Sequence, residues 1–201
     1  MPEKPLHPRV QFTRAALHRA LADLILEKPL TSITVKDICV RADINRSTFY
    51  LHYKDIYDLL TAFEDELLEH MQAQFPQTPT RIDDEDFLTR PLVAFLNQCR
   101  ETPRMMQLLR RLFSEQGDPH FVHRLQKLTY SSFLRGWSIN MPDASESRKL
   151  LIYSYIVPGI INLLSTWVSD TPDIPAEEVV ALLVLLVRHG ADRLLPPQEQ
   201  D

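Results

Sequence analysis

Proline marks the joints of this chain, and glycine is almost missing from it. Fifteen prolines against four glycines leave little for tight-turned sheets or phosphate-cradling loops. Helices stopped at proline are the economical solution. The breaks carry Pro29, Pro76, Pro103, Gly117-Asp118-Pro119, Pro142-Asp143 and Thr171-Pro172 with Pro175. In the first segment Leu17, Ala20, Leu21, Leu24 and Ile25 share one face at helical spacing, and Pro29 ends it after Glu27-Lys28. A second helix runs from Thr34 to Ala42, where Thr34 can take an orphan backbone N–H and Asp37 suits the positive helix end. Asn45 caps a third, and Asp55 a fourth that runs towards Phe75 and stops at Pro76. Longer amphipathic helices follow at roughly 84–101, 103–115, 119–138, 145–169 and 175–194. No alternating strand pattern competes. The expected fold is all-α, with about nine helices, and residues 1–8 and the tail from Pro196 read as disordered ends.

The net charge of −5 argues against a nucleic-acid partner until the chain is divided. Residues 9–54 hold eight Lys/Arg and four Asp/Glu, whereas residues 55–201 hold thirteen and twenty-two. The basic part is local, as an electrostatic footprint on DNA requires. The division suggests a head over 9–54, a connecting helix over 55–76 and a body over 77–195.

Two short helices joined by a turn of a few residues meet the geometric demand of a helix-turn-helix. Val35, Ile38 and Cys39 form the buried face of the first. Ile44, Phe49 and Tyr53 seal the second against Leu21 and Leu24. Arg46, Ser47, Thr48, Tyr50 and His52 are left outside: hydrogen-bonding groups of the kinds used on base edges and phosphates, with no carboxylate among them. The plainer reading of each stays open, with Tyr50 a packing aromatic, His52 a solvated histidine and Arg46 and Lys54 ordinary surface cations.

The run TSITVKDICVRADINRSTFYLHYKDIYDLL, residues 31–60, resembles the DNA-binding signature of the tetracycline-repressor (TetR) family, and the likeness extends over about residues 12–65. The resemblance implies a three-helix head, a fourth connecting helix, and a variable C-terminal domain for dimerisation and ligand. It puts Thr34 and Lys36 at the DNA backbone, Arg46, Ser47 and Thr48 near base edges, and Tyr50 and His52 at phosphates, with Lys54 close by. One departure is Asp43, where the family usually has glycine. Aspartate tolerates positive φ better than most residues, so the turn should survive with modest strain. Such variants are similar to a branch of the family common in Firmicutes.

In segment 145–169 apolar residues wrap round more than one face, and Val179 to Val187 is nearly continuous. Helices apolar all round are buried on both sides, and a second copy covers the outer side most economically. Ile160, Leu164, Trp167, Leu182, Leu183 and Leu186 are the expected homodimer contacts, in a two-fold four-helix interface that the resemblance also implies. Pro158-Gly159 should kink the helix that holds them. A two-fold pair of recognition helices predicts a palindromic operator on double-stranded DNA. The aromatic and thioether supply of the middle helices suits a small hydrophobic effector, with Phe95, Met106, Phe113, Phe133, Trp137 and Tyr155 as candidates, or merely a well-filled core.

His120 and His123 lack further ligands for a metal, Asp83 to Asp86 reads as an acidic first turn, and Glu64, Asp65, Glu66 and Glu69 as a solvated face. No nucleophile elbow, phosphate loop or histidine–carboxylate triad is visible. The chain is therefore expected to be no enzyme and to need no cofactor or metal. Cys39 and Cys99 sit in apolar patterns, which fits a reducing cytoplasm. No signal peptide is seen, and the longest apolar run is too short to span a membrane. The reading is a DNA-binding transcriptional regulator, more often a repressor in this family. The alternative is an architectural or protein-interaction role on DNA without an effector.

Overall fold

Leu17, Leu21, Ile38, Phe49 and Leu59 come from four different helices and are each at 0% exposure. They are the centre from which the N-terminal head is built. In this computed structural model, residues 8–73, 85–114, 118–140 and 143–191 are described, with backbone alone at 85–88, 119, 131–140 and 188–191. The helices are α1 (Pro8–Glu27), α2 (Val35–Ala42), α3 (Arg46–His52), α4 (Ile56–Ala73), α5 (Glu85–Glu101), α6 (Pro103–Phe113), α7 (Pro119–Asn140), α8 (Glu146–Ser169) and α9 (Ala176–Ala191). A single 3-10 turn, Leu30–Ser32, links α1 to α2, and no strand occurs among the described residues. The all-α expectation holds. The segments 145–169 and 175–194 fell within a few residues of α8 and of the described part of α9.

Local chemistry explains the boundaries. Thr34 caps α2 through a reciprocal box, its Oγ1 accepting from the Asp37 backbone N–H while the Asp37 carboxylate accepts from the Thr34 N–H. Asn45 caps α3 by accepting from the Thr48 N–H at 2.8 Å, and Asp55 caps α4 by accepting from the Asp58 N–H at 2.9 Å. Pro103 opens α6 at a position where a missing N–H costs nothing. Two prolines lie inside helices, Pro91 in α5 and Pro158 in α8.

One apolar cluster joins α1 to α4 with Leu108, Leu112 and Phe121, and a second gathers Leu96, Cys99, Met106, Leu109, Trp167, Val168 and Val179. Helix α6 runs between them, and Phe113 packs against both. Three arginines of α6 pin its neighbours. Arg104 pairs with Asp23, while Arg111 Nε donates to the Ile25 carbonyl at 3.2 Å and Arg110 Nε to the Val168 carbonyl at 2.6 Å. Both carbonyls lie in the last turn of their helix, where no intrahelical partner is left to them.

The acidic stretch of α4 departs from the sequence reading. Glu64 is at 0% exposure and pairs with Arg124 of α7, which also reaches Asp118 at 3.2 Å. Glu66 holds the buried His18 at 2.6 Å. Burial against the Arg124 guanidinium, not solvation, explains Glu64; Asp65, Glu66 and Glu69 do remain exposed, as the sequence suggested, with Glu66 reaching His18 from the surface.

Helix α8 is long and apolar enough, by length and composition, to cross a membrane. Its Ile152, Val157, Ile161, Trp167 and Val168 are core residues of the fold, so that surplus of apolar surface has a different explanation, taken up below. Asp83-Asp84, Pro76 and Pro142 lie outside the described residues.

Candidate nucleic-acid interface

The turn between α2 and α3 is set by Asp43, which adopts the left-handed conformation at φ 53° and ψ 49°. It is the only non-glycine residue with positive φ among those described. Its N–H closes α2, and the Ile44 N–H returns to the Cys39 carbonyl at 3.0 Å. The turn survives the loss of the usual glycine, as expected.

Phe49 orients α3. Its ring is buried on the first cluster, edge-on to Tyr50 with centroids 5.4 Å apart. Tyr53 follows as the C-cap, 5% exposed, and belongs to the core as predicted. Rotation fixed by these anchors turns Arg46, Ser47 and Tyr50 outward, Tyr50 at 58% exposure. Thr48 and His52 are half-buried on the flanks, His52 leaning on the Tyr53 ring. Lys36 on α2 and Lys54 ahead of α4 are exposed. Lys36 and Arg46 line a cleft of about 530 Å³ together with Val40, Asp43 and Asn45, so the two cations flank one concavity.

Thr34 is exposed but occupied. Its hydroxyl donates to Asp37 Oδ2 at 2.6 Å while accepting from the backbone. Lys28 also donates to Asp37, at 2.8 Å. These donors hold the Asp37 carboxyl far below the usual carboxylate range, the lysine contributing most. The charge nearest the start of α2 is thereby paired within the chain. Glu27 is likewise gripped by Arg41, with both guanidinium nitrogens within 2.8 Å.

Sequence reasoning passed over two residues of this surface. Val40 is 74% exposed and Leu51 is 83% exposed. The helical wheel of residues 46–52 was enough to find Leu51, since it stands almost opposite Phe49.

The body carries a second feature. Leu151 and Tyr155 on α8, at 71% and 81% exposure, and Leu182, Leu185 and Leu186 on α9, at 46%, 52% and 57%, remain uncovered. Between the helices runs a groove of about 730 Å³ whose lining includes Gly159, Asn162, Leu163, Thr166, Trp167 and Leu182. Of the residues expected on the outer face, Leu182 and Leu186 are there and Ile160 and Leu164 are half-buried. Trp167 and Leu183 are corrected: at 2% and 6% exposure they belong to the chain's own core. The indole N–H of Trp167 donates to the Ile174 carbonyl at 2.9 Å. Near-continuous apolar sequence hides which residue of a turn faces inward. Tyr155, read as a pocket residue, stands on the outer face of α8 instead. Met106 is buried in the second cluster, Phe95 packs on it, and Phe113 bridges both. The side chains of Phe133 and Trp137 lie outside the described residues. Among the described residues no histidine, cysteine and carboxylate group is arranged to hold a metal. Cys39 and Cys99 are free and buried, with the Cys99 thiol pushed up to about 11 by burial.

Comparison with known proteins agrees with this anatomy. Residues 95–189 match the family described as "Transcriptional regulator C-terminal region". A helix-turn-helix-type transcriptional regulator of Bacillus subtilis, YxbF, is 30% identical over 168 residues, which is 81% of this chain and 41% of that protein. The chain thus spans about two fifths of the curated relative it matches. A TetR transcriptional regulator from Streptococcus agalactiae superposes with a TM-score of 0.66 at 21% identity, covering 89% of this chain and 95% of the other. SmeT, solved in complex with triclosan, superposes with a TM-score of 0.67 at 12% identity, covering 93% and 96%. Head, turn, recognition helix and matched C-terminal region together identify the chain as a member of the TetR family of transcriptional regulators.

Proposed function

We propose that the protein is a homodimeric, sequence-specific repressor in the cytoplasm that binds a palindromic operator through α3 and leaves it when a small hydrophobic effector binds. The observation that carries the DNA reading is the surface around α3. Arg46, Ser47 and Tyr50 are exposed on a short helix whose opposite side is locked by Phe49, and Lys36 and Lys54 flank it. Phosphates reward such cations, and base edges reward such donors. Thr34 contributes mainly by holding the start of α2, because its hydroxyl is engaged.

The dimer reading rests on the uncovered apolar stripe of α8 and α9. Exposed leucines and Tyr155 beside the groove between α8 and α9 form a patch that a monomer would not leave to water. A two-fold copy of the same helix pair covers it. The surplus hydrophobicity of α8 is explained in the same way.

The effector reading is supported by the seam at Phe113, where the two apolar clusters meet beside Met106 and Phe95. An apolar molecule inserted there separates α6 from one of its neighbours, and the head is held partly by α6. Triclosan in the SmeT complex is an apolar ligand bound by a protein of this fold.

Selection of bound duplexes from a random pool tests the proposal. The expected product is one inverted repeat with half-sites about one helical turn apart or somewhat more. Dispersed enrichment without a repeat would instead support an architectural role on DNA. A thermal-shift screen of small hydrophobic compounds tests the effector, since a ligand of the folded state raises the melting temperature by mass action.

A further inference from the structure

The crest of α3 is not its most polar stripe. At about 100° per residue, the positions opposite the buried Phe49 are Ser47 and Leu51, one turn apart. Leu51, at 83%, is the most exposed large hydrophobic residue among those described, and it belongs to neither apolar cluster. Beside it on the crest, Ser47 turns its hydroxyl back to donate to Asn45 Oδ1 at 2.7 Å. The apex of the ridge therefore offers an isobutyl group, with Tyr50 beside it and the cations set to the sides.

A helix seated in the major groove presents its crest to base edges. The one apolar group displayed there is the thymine C5-methyl. We propose that Leu51 is a specificity-determining residue that reads a thymine methyl in each half-site. The assignment rests on the DNA-binding reading and deepens it, because it names the base pair and the kind of contact. It also accounts for an apolar residue at a place where solvent exposure alone would favour a polar one. The contact discriminates by removing the leucine and the methyl from water together, not by a hydrogen bond, so it vanishes when either partner is cut back.

The test is a double-mutant cycle across the interface, on duplexes first selected by the wild-type protein. Each thymine of a half-site is replaced in turn by uracil, which lacks only the methyl. Binding of each duplex is measured for the wild type and for Leu51→Ala, whose exposed site leaves the core intact. At one position per half-site uracil should weaken wild-type binding roughly three- to tenfold. The Leu51→Ala protein should bind the thymine and uracil duplexes alike there, and still distinguish bases elsewhere. Equal binding of the selected operator by both proteins overturns the assignment. So does a uracil profile that Leu51→Ala leaves unchanged. In either case the selected operator keeps the DNA-binding reading intact, whereas a wild-type protein that enriches no duplex at all removes both.

Discussion

His18 of α1 stands 2.8 Å from the Tyr53 hydroxyl through Nε2 and 2.6 Å from Glu66 of α4 through Nδ1. An ionised carboxylate only accepts, so Nδ1 donates to Glu66 and Nε2 accepts from Tyr53. The Tyr53 oxygen in turn accepts from Arg14 Nε at 3.2 Å. One neutral imidazole thus ties together α1, the end of the recognition helix and the connecting helix.

Burial holds His18 below its ordinary value of 6.5 and outweighs the opposing pull of Glu66, with Arg14 acting in the same direction as burial. The unfolded chain therefore takes up this proton at higher pH than the folded chain does. The stability contributed is complete above about pH 6.5 and is lost as pH falls from there through the folded value. Thermal melts near pH 7.5 and pH 5.5 should show a larger loss for the wild type than for His18→Gln. Equal losses would remove His18 from the pH dependence.

Glu64 and Arg124 form a second bridge between α4 and the body. Removing one partner of a buried pair leaves an uncompensated charge, so Arg124→Met should cost about 3 kcal/mol. The double variant Glu64→Leu with Arg124→Met should lose less than that single change. Urea unfolding of the three proteins gives the comparison, and a double variant worse than Arg124→Met would refute the account of the pair.

Asp43 carries the strain of the turn. Glycine adopts its conformation without steric cost, so Asp43→Gly should be stabilising by up to about 1 kcal/mol and Asp43→Ala destabilising by a similar amount. The glycine variant also loses a carboxylate beside the cleft of Lys36 and Arg46, so operator affinity should rise at low salt. Denaturant midpoints and binding titrations check the two effects separately.

Arg46 and Lys36 should separate specificity from affinity. Arg46→Ala is expected to cost roughly 1–3 kcal/mol and to relax the preference at one operator position, whereas Lys36→Ala should weaken all sequences alike and lower the salt slope by about one. Titrations of selected and scrambled duplexes over a range of salt report both. Indifference to the two changes would move the interface away from the α2–α3 cleft.

Much of this fold was legible because its signals are local. Proline joints and the caps Thr34, Asn45 and Asp55 depend on neighbours a few residues away, so the helix boundaries fell close to expectation. The buried side of α3 was equally readable, since Phe49 and Tyr53 repeat at i and i+4. What escaped depends on partners distant in sequence. Glu64 looks like any acidic residue in an acidic run until Arg124, on another helix, is brought against it. His18 drew no notice because Glu66 and Tyr53 converge on it only in the folded chain. Trp167 and Leu183 could not be told from Leu186, because every turn of those helices is apolar and only packing selects the inward side. Leu51 was placed on neither side of α3, although its spacing of two residues from the buried Phe49 sets it on the exposed one.

Sedimentation equilibrium of the protein mixed with its selected duplex tests the central claim most directly. Two protomers per duplex are expected for the wild type. Leu182→Glu with Leu186→Glu, placed on the uncovered stripe, should give folded monomers that no longer hold the full palindrome. A wild-type protein that sediments as a monomer and leaves the duplex free at low salt would contradict the account.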